Sequence, residues 1–207
     1  MKILLIDTTS SNVIVSIVND DKVLYTYNDK VINDMSSKII SIIDEACKNT
    51  NISLNDIDKI IVSNGPGSFT GIRVGVTVAK VVAWTLKKEI VPISSLELLA
   101  TTKTEKKYLV PMIDARRGNV FGAIYDTNLD CIKKDSMISI QDLVNNLDSN
   151  YELISYDNLN IENIISPDIN ILKIVNKHKN DKGINPYNLN PNYLKLTEAE
   201  ENLGDKK

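Results

Sequence analysis

Asp7 closes the first apolar run of the chain, Ile3-Leu4-Leu5-Ile6, and is the first side chain placed to do chemistry. A carboxylate at the end of a strand can serve a phosphate site if the next turn lets backbone amides approach the phosphate. The turn here is Thr8-Thr9-Ser10, which has no glycine, so that approach is hindered. The residues favour a plainer reading, in which Asp7 caps the turn through its own side chain. A two-metal nuclease would need further carboxylates on the next helix and on the fourth strand. Asp44 or Glu45 could serve on the helix, but the fourth strand ends in Ser63-Asn64, and the acidic set fails there.

The second candidate is the loop Gly65-Pro66-Gly67-Ser68-Phe69-Thr70-Gly71. A strand, a glycine-rich loop and a helix N-terminus can together bind an anion. No Gly-Lys-Ser/Thr closes this loop, and Thr70 stands where a dinucleotide fingerprint has its last glycine. The glycines serve equally well to turn the chain and to let the helix approach its neighbours through Gly71 and Gly75. His178 is the single histidine, so neither a two-histidine metal site nor a Ser-His-Asp triad can be built. Its polar, lysine-rich setting reads as solvated surface. Cys47 and Cys131 make neither a disulfide framework nor a metal site and read as small apolar fillers in a reducing compartment. No metal and no cofactor is expected.

The elements that must position these residues follow from periodicity. Ile3 to Ile6, Val13 to Val18 and Lys22 to Tyr27 read as three consecutive strands separated by turn residues. Asp34 is a candidate N-cap for a helix with an apolar stripe through Met35, Ile39, Ile42, Ile43 and Ala46. Lys59 to Ser63 reads as a fourth strand. From Gly71 to Lys87 the β-branched residues favour strand by propensity, but the length and the Ser68 or Thr70 cap favour helix. That helix is apolar nearly all round, so it needs cover on more than one side. Ile90 to Ile93 is a short strand, and Ser94 with Glu97 spells a capping box. The polar stretch Thr101 to Lys107 divides a first unit, residues 1–104, from a second, residues 105–207. The second has strands Tyr108 to Ile113, Asn119 to Tyr125 and Tyr151 to Tyr156, helices Gln141 to Leu147 and Ile169 to Lys177, and an extended tail. Pro111 implies a strand with one unpaired ladder position. Three strands, helix, strand, helix and then a second strand-rich unit is the order of the ribonuclease H-like and actin-like lobes, an α/β class.

The formal net charge is -3, and Arg73, Arg116 and Arg117 are the only arginines. Unaided nucleic-acid binding needs a basic face to neutralise phosphates, and none is visible. No apolar window approaches the roughly 20 residues of a membrane span, and the opening run is too short for a signal peptide, so a cytoplasmic protein is expected.

The eleven residues Gly65-Pro66-Gly67-Ser68-Phe69-Thr70-Gly71-Ile72-Arg73-Val74-Gly75 and the later Ile113-Asp114-Ala115-Arg116-Arg117-Gly118 resemble those of the TsaB family, also called YeaZ, the small relatives of the TsaD/Kae1 proteins. The resemblance extends to Ile6-Asp7-Thr8, to Ser94-Ser95-Leu96-Glu97-Leu98-Leu99-Ala100, and to Asn190-Pro191-Asn192-Tyr193-Leu194-Lys195 followed by Glu198-Ala199-Glu200. It implies an actin-like (ASKHA) fold of two lobes, the second reduced. It also implies a part in making threonylcarbamoyladenosine beside the anticodon of tRNA. By the same resemblance the chain is a non-catalytic subunit supporting a TsaD-type catalytic subunit, joined by a TsaE-type ATPase. It would form a homodimer when its partner is absent and touch tRNA only through the complex. Where TsaD carries its two-histidine metal motif, this chain has Asp34-Met35-Ser36-Ser37-Lys38, without histidine. The alternative is a stand-alone actin-like ATP-binding enzyme, a kinase or ATPase, although Asp114-Ala115-Arg116-Arg117 is not a second glycine-rich phosphate turn.

The partner surface expected from this pattern lies on the two helices. The small-residue line Gly75, Ala79 and Ala83, flanked by Ile72 and Val76, would let another helix approach closely. Met35, Ser36, Ile39 and Ile43 would complete the face from the first helix, leaving Ile40 and Val82 as core.

Overall fold

The structure, a computed structural model, describes residues 1–31, 34–145 and 150–195. Two five-stranded sheets carry it. The first has the order β3-β2-β1-β4-β5, from β1 (Lys2–Asp7), β2 (Asn12–Asn19), β3 (Lys22–Lys30), β4 (Lys59–Ser63) and β5 (Glu89–Ile93). The meander β1–β3 is antiparallel, and β4 and β5 join parallel to β1. The second has the order β10-β9-β6-β7-β8, from β6 (Tyr108–Arg116), β7 (Asn119–Asp126), β8 (Cys131–Ser139), β9 (Tyr151–Ile154) and β10 (Ile164–Ile165). Two parallel crossovers run through helices α1 (Met35–Thr50) and α2 (Phe69–Leu86).

Continuous apolar runs in β1 and β4 mean burial on both faces, and strand alternation decides which core each side chain enters. Leu4, Ile6, Ile60 and Val62 pack with α1 and α2 on one side. Ile3, Leu5 and Ile61 point the other way, into a cluster shared with α3 (Ser95–Leu99), α5 (Ile171–His178) and the inner face of β6 and β7. A third cluster lies on the outer face of the second sheet, where Val110, Met112, Val120 and Ile124 meet Leu143 of α4 (Ile140–Val144). The middle cluster draws on both sheets, so they are packed together through one core. The β6–β7 pairs pass from Leu109↔Tyr125 to Met112↔Gly122, stepping over Pro111, whose nitrogen has no hydrogen to donate.

The expected helices stand, with sharper ends. Ser68, not Thr70, caps α2 by accepting the Gly71 N–H. Asp34 occupies the cap position of α1 through its carbonyl, which accepts from Ser37 and Lys38, while its side chain makes no cap bond. Ser94 caps α3, but the Glu97 side chain does not close the box and turns to α5 instead. Strand β8 was not expected: Lys133, Lys134, Asp135 and Ser136 break the apolar alternation of an edge strand, where charge guards against unwanted pairing. Of the helix expected from Gln141 to Leu147, Asn146 and Leu147 lie outside the described residues, and α4 begins one residue earlier. By length and composition α2 is apolar enough to cross a membrane, contrary to the expectation from its sequence window. Its place explains that composition, since Ile72, Val76, Ala79 and Ala83 are buried against β1 and β4.

After α5 the chain returns as a strap across the first lobe. Ile184 bridges to Ile90, Leu189 is buried in the α1–α2 core, and the Asn192 N–H donates to Asn64 O at 2.7 Å. Lys80 Nζ donates to Leu189 O at 2.9 Å. Lys59, almost wholly buried, directs its ammonium to the Lys179 and Asp181 carbonyls at 2.9 and 2.7 Å, fastening the end of α5 to the first sheet. Leu189 is the strap's apolar anchor. Leu189→Ala is therefore expected to lower stability by about 2–3 kcal/mol, read from the urea midpoint.

Candidate functional site

Asp7 is 1% exposed, and its Oδ1 accepts from the Thr9 N–H at 3.0 Å and the Thr9 hydroxyl at 2.6 Å. Burial pushes its carboxyl above the usual range, with the Thr9 bonds opposing. This is the turn-capping role expected of it, and the oxygen is committed to the amide and hydroxyl of Thr9 in the turn that follows.

The glycine loop is built around the same turn. Ser68 N–H donates to Thr9 O at 2.8 Å, and the Thr8 hydroxyl donates to Gly71 O at 2.6 Å. A Cβ at Gly71 would collide with Thr8 O, and one at Gly75 with Thr8 Oγ1. The glycines bring α2 against the β1–β2 turn, within one molecule.

That packing decides the fate of the expected partner face. Ile39, Ile43, Ile72, Val76, Ala79 and Ala83 are at most 3% exposed and belong to the core between the helices and the first sheet. Gly75 is buried on Thr8, Met35 is half-buried, and only Ser36 is exposed. Side chains enclosed by their own sheet offer no surface. The large apolar side chains that the two helices leave in water are others: Ile40 at 54%, Val81 at 59% and Trp84 at 54% exposure. Ile40 is thus surface and not core. Trp84 packs edge-on against Tyr187 of the strap, with ring centroids 4.3 Å apart. Val81 and Trp84 are three apart and so share one side of α2. The one tryptophan of the chain, in a helix apolar all round, was the available signal.

Between the sheets lies a cleft of about 600 Å³. Thr9, Ser10 and Ser11 of the β1–β2 turn, the start of α2, the end of β6 and Phe121 of β7 form its walls. Arg73 enters from α2, its Nε donating to Tyr193 Oη at 2.8 Å and its guanidinium lying 5.9 and 5.6 Å from the Phe69 and Tyr193 ring centroids. Those rings stack 4.8 Å apart. Arg116, Asp114 and Asp157 line the second lobe's side.

His178 is not solvated surface. Its side chain is 14% exposed and bridges Glu97 Oε2 at 3.0 Å and Asp181 Oδ2 at 2.7 Å, while Lys177 pairs with Glu97 Oε1 at 2.9 Å. Burial pulls the imidazole pKa down, but the bonds to Glu97 and Asp181 outweigh it and hold it above 6.5. Burial pushes the Glu97 carboxyl up, and bonds from His178 and Lys177 outweigh that, holding it below 4.5. The histidine's contribution is complete below pH 6.5 and is lost as pH rises through its raised value. The glutamate's contribution is complete above pH 4.5 and is lost as pH falls through its lowered value. His178→Gln is therefore expected to cost about 1.5–3 kcal/mol near pH 6 and clearly less at alkaline pH, read from urea midpoints across pH. Equal losses at both pH values would show that no proton is involved.

Among the described residues no three His, Cys, Asp or Glu side chains converge as a metal cluster. Cys47 is half-buried, and Cys131, expected as a filler, is exposed on β8.

A family model described as TsaD, tRNA N6-adenosine threonylcarbamoyltransferase, matches residues 29–187. The tRNA threonylcarbamoyladenosine biosynthesis protein TsaB of Bacillus subtilis is 36% identical over 126 residues, 60% of this chain and 55% of that protein. The protein of the same name from Buchnera aphidicola subsp. Schizaphis graminum is 32% identical over 145 residues, 67% of this chain and 69% of its own length. The chain thus spans little more than half of the Bacillus relative. A crystal structure from Pseudomonas aeruginosa, described as similar to the peptidase YEAZ, superposes with a TM-score of 0.80 at 15% identity, covering 94% of this chain and 99% of that one. This last likeness concerns the fold.

Proposed function

Since the chain belongs to the TsaB (YeaZ) family, we propose that it is the non-catalytic subunit of the assembly that transfers a threonylcarbamoyl group to adenosine beside the anticodon of tRNA. The observation that carries the reading is the pair of large apolar side chains Val81 and Trp84 on one side of α2, each more than half exposed, with Ile40 of α1 exposed to the same degree. Large apolar side chains grouped on one side of a protein mark an association surface. A TsaD-type catalytic subunit is the occupant, and a second copy of this chain takes its place when that subunit is absent. A TsaE-type ATPase joins the pair. The chain's net charge of -3 leaves the phosphate contacts to the partner, so tRNA is bound through the complex.

The test is light scattering during size exclusion, on this chain alone and mixed with the TsaD-type protein of the same organism. A species of summed mass is expected in the mixture. No complex at about micromolar concentration would remove the scaffold role. Threonylcarbamoyl transfer to tRNA by this chain alone would overturn the non-catalytic reading.

A further inference from the structure

We propose that the cleft between the two sheets binds a small zwitterion, a molecule of amino-acid or short-peptide size with one carboxylate and one ammonium group. The proposal is independent of the partner surface, which lies on α1 and α2.

The cleft holds charges of both signs that do not neutralise one another. Arg73, Arg116, Lys195, Asp114 and Asp157 all line the cavity; Lys195 Nζ donates to Ala115 O at 3.4 Å, and among the described residues the other four make no ion pair. Three of these four side chains, those of Arg73, Asp114 and Asp157, are held in place. Arg73 is fixed through Nε by Tyr193 and flanked by two rings, while its terminal amino groups have no partner among the described residues. Asp157 Oδ2 accepts the Asp114 N–H at 2.9 Å, and Asp114 Oδ1 accepts the Arg116 N–H at 2.7 Å, so each carboxylate keeps its second oxygen. Arg116 has a φ of 66°, a left-handed backbone unusual for arginine, at the end of a strand that opens on the cleft.

Complementarity then names the ligand. Two guanidinium groups call for a carboxylate, and two carboxylates in the same cavity call for an ammonium. A polyphosphate would satisfy Arg73, Arg116 and Lys195 but face both aspartates, so a ligand that carries an ammonium beside its carboxylate fits the mixed lining better. Ile113 and Phe121 supply an apolar wall for the body of the ligand, and about 600 Å³ is ample for a single amino acid or dipeptide.

The experiment is an amide NMR titration of the isotope-labelled chain at low salt. The probes are individual L-amino acids and glycyl dipeptides, with ATP and inorganic phosphate alongside. At least one zwitterion is expected to shift the amides around Ser68–Arg73 and Ile113–Arg116, with a Kd of about 1 mM or tighter. Its N-acetyl and carboxamide derivatives are each expected to bind about tenfold more weakly. Arg116→Asn, which tolerates the left-handed backbone, should abolish the preference for a free carboxylate. Asp157→Asn, whose amide oxygen still accepts the Asp114 N–H, should abolish the preference for a free amine. Capped forms binding as well as free ones, phosphate or ATP outcompeting every zwitterion, or no shift from any zwitterion would each overturn the proposal. Scoring complex formation with the TsaD-type protein separately, by mass, keeps this result distinct from that of the scaffold reading.

Discussion

Gly71→Ala is expected to destabilise the chain by about 3 kcal/mol, although alanine is the better helix former by about 1 kcal/mol. The gain in propensity is real and small. Against it, the new Cβ would overlap the Thr8 carbonyl oxygen, a backbone atom fixed in the turn after β1. That turn cannot yield cheaply, because Asp7 holds it through two bonds to Thr9 and Ser68 holds it through Thr9 O. Relief must come from α2 moving outward, which would break the buried Thr8 hydroxyl bond to Gly71 O and open the core beneath Ile72 and Val76. Gly122→Ala is the control. Its Cβ would press only on the tip of the Leu143 side chain, which can rotate away, so a loss of under about 1 kcal/mol is expected. Urea midpoints compare the two. A Gly71→Ala protein as stable as the parent would mean that the helix–turn contact is not rigid.

The same contact shows what a sequence can convey. The alternation of β1 and β4 between two cores was legible because continuous apolar strands are buried on both faces, and the glycine run announced a tight helix approach. Which body the helix approaches was not legible. A helix apolar on every side has no polar stripe to mark its outer face. Small residues suit a close neighbour of either kind, and here the neighbour of Gly71 and Gly75 is the chain's own β1–β2 turn. The line through Ala79 and Ala83 is enclosed for that reason, while bulky Val81 and Trp84 stay outside. Long-range polar contacts were equally hidden. Nothing local links Lys59 to the carbonyls of Lys179 and Asp181, or Glu97 to His178, across 80 residues and more. A lone histidine among lysines reads as solvated until a carboxylate from a distant helix is brought beside it. The cleft is of the same kind, since Arg73 and Asp114 share it only once the two sheets have packed.

Trp84→Glu is expected to lower affinity for the TsaD-type subunit by about a hundredfold or more while leaving the free chain folded. Truncation of a central interface tryptophan commonly costs 2 kcal/mol or more, and a carboxylate adds the cost of burying a charge against apolar surface. The free chain tolerates the change because Trp84 is 54% exposed and its recorded ring contact is with Tyr187, itself 65% exposed. Stability should therefore shift by no more than about 1 kcal/mol. Val81→Asp, three residues earlier, should act in the same direction. Ala79→Arg separates surface from core. Ala79 is 0% exposed, so an arginine there must be buried unpaired or drive α2 off the sheet, and loss of the folded chain is expected before any question of binding arises. The measurement is calorimetric titration of each variant into the TsaD-type protein, with circular dichroism of the free chains alongside. Wild-type affinity in a Trp84→Glu, Val81→Asp double variant would sink the assignment of this face. Loss of binding with an unchanged folded spectrum would establish that the association surface is the row of apolar side chains that α2 leaves in water.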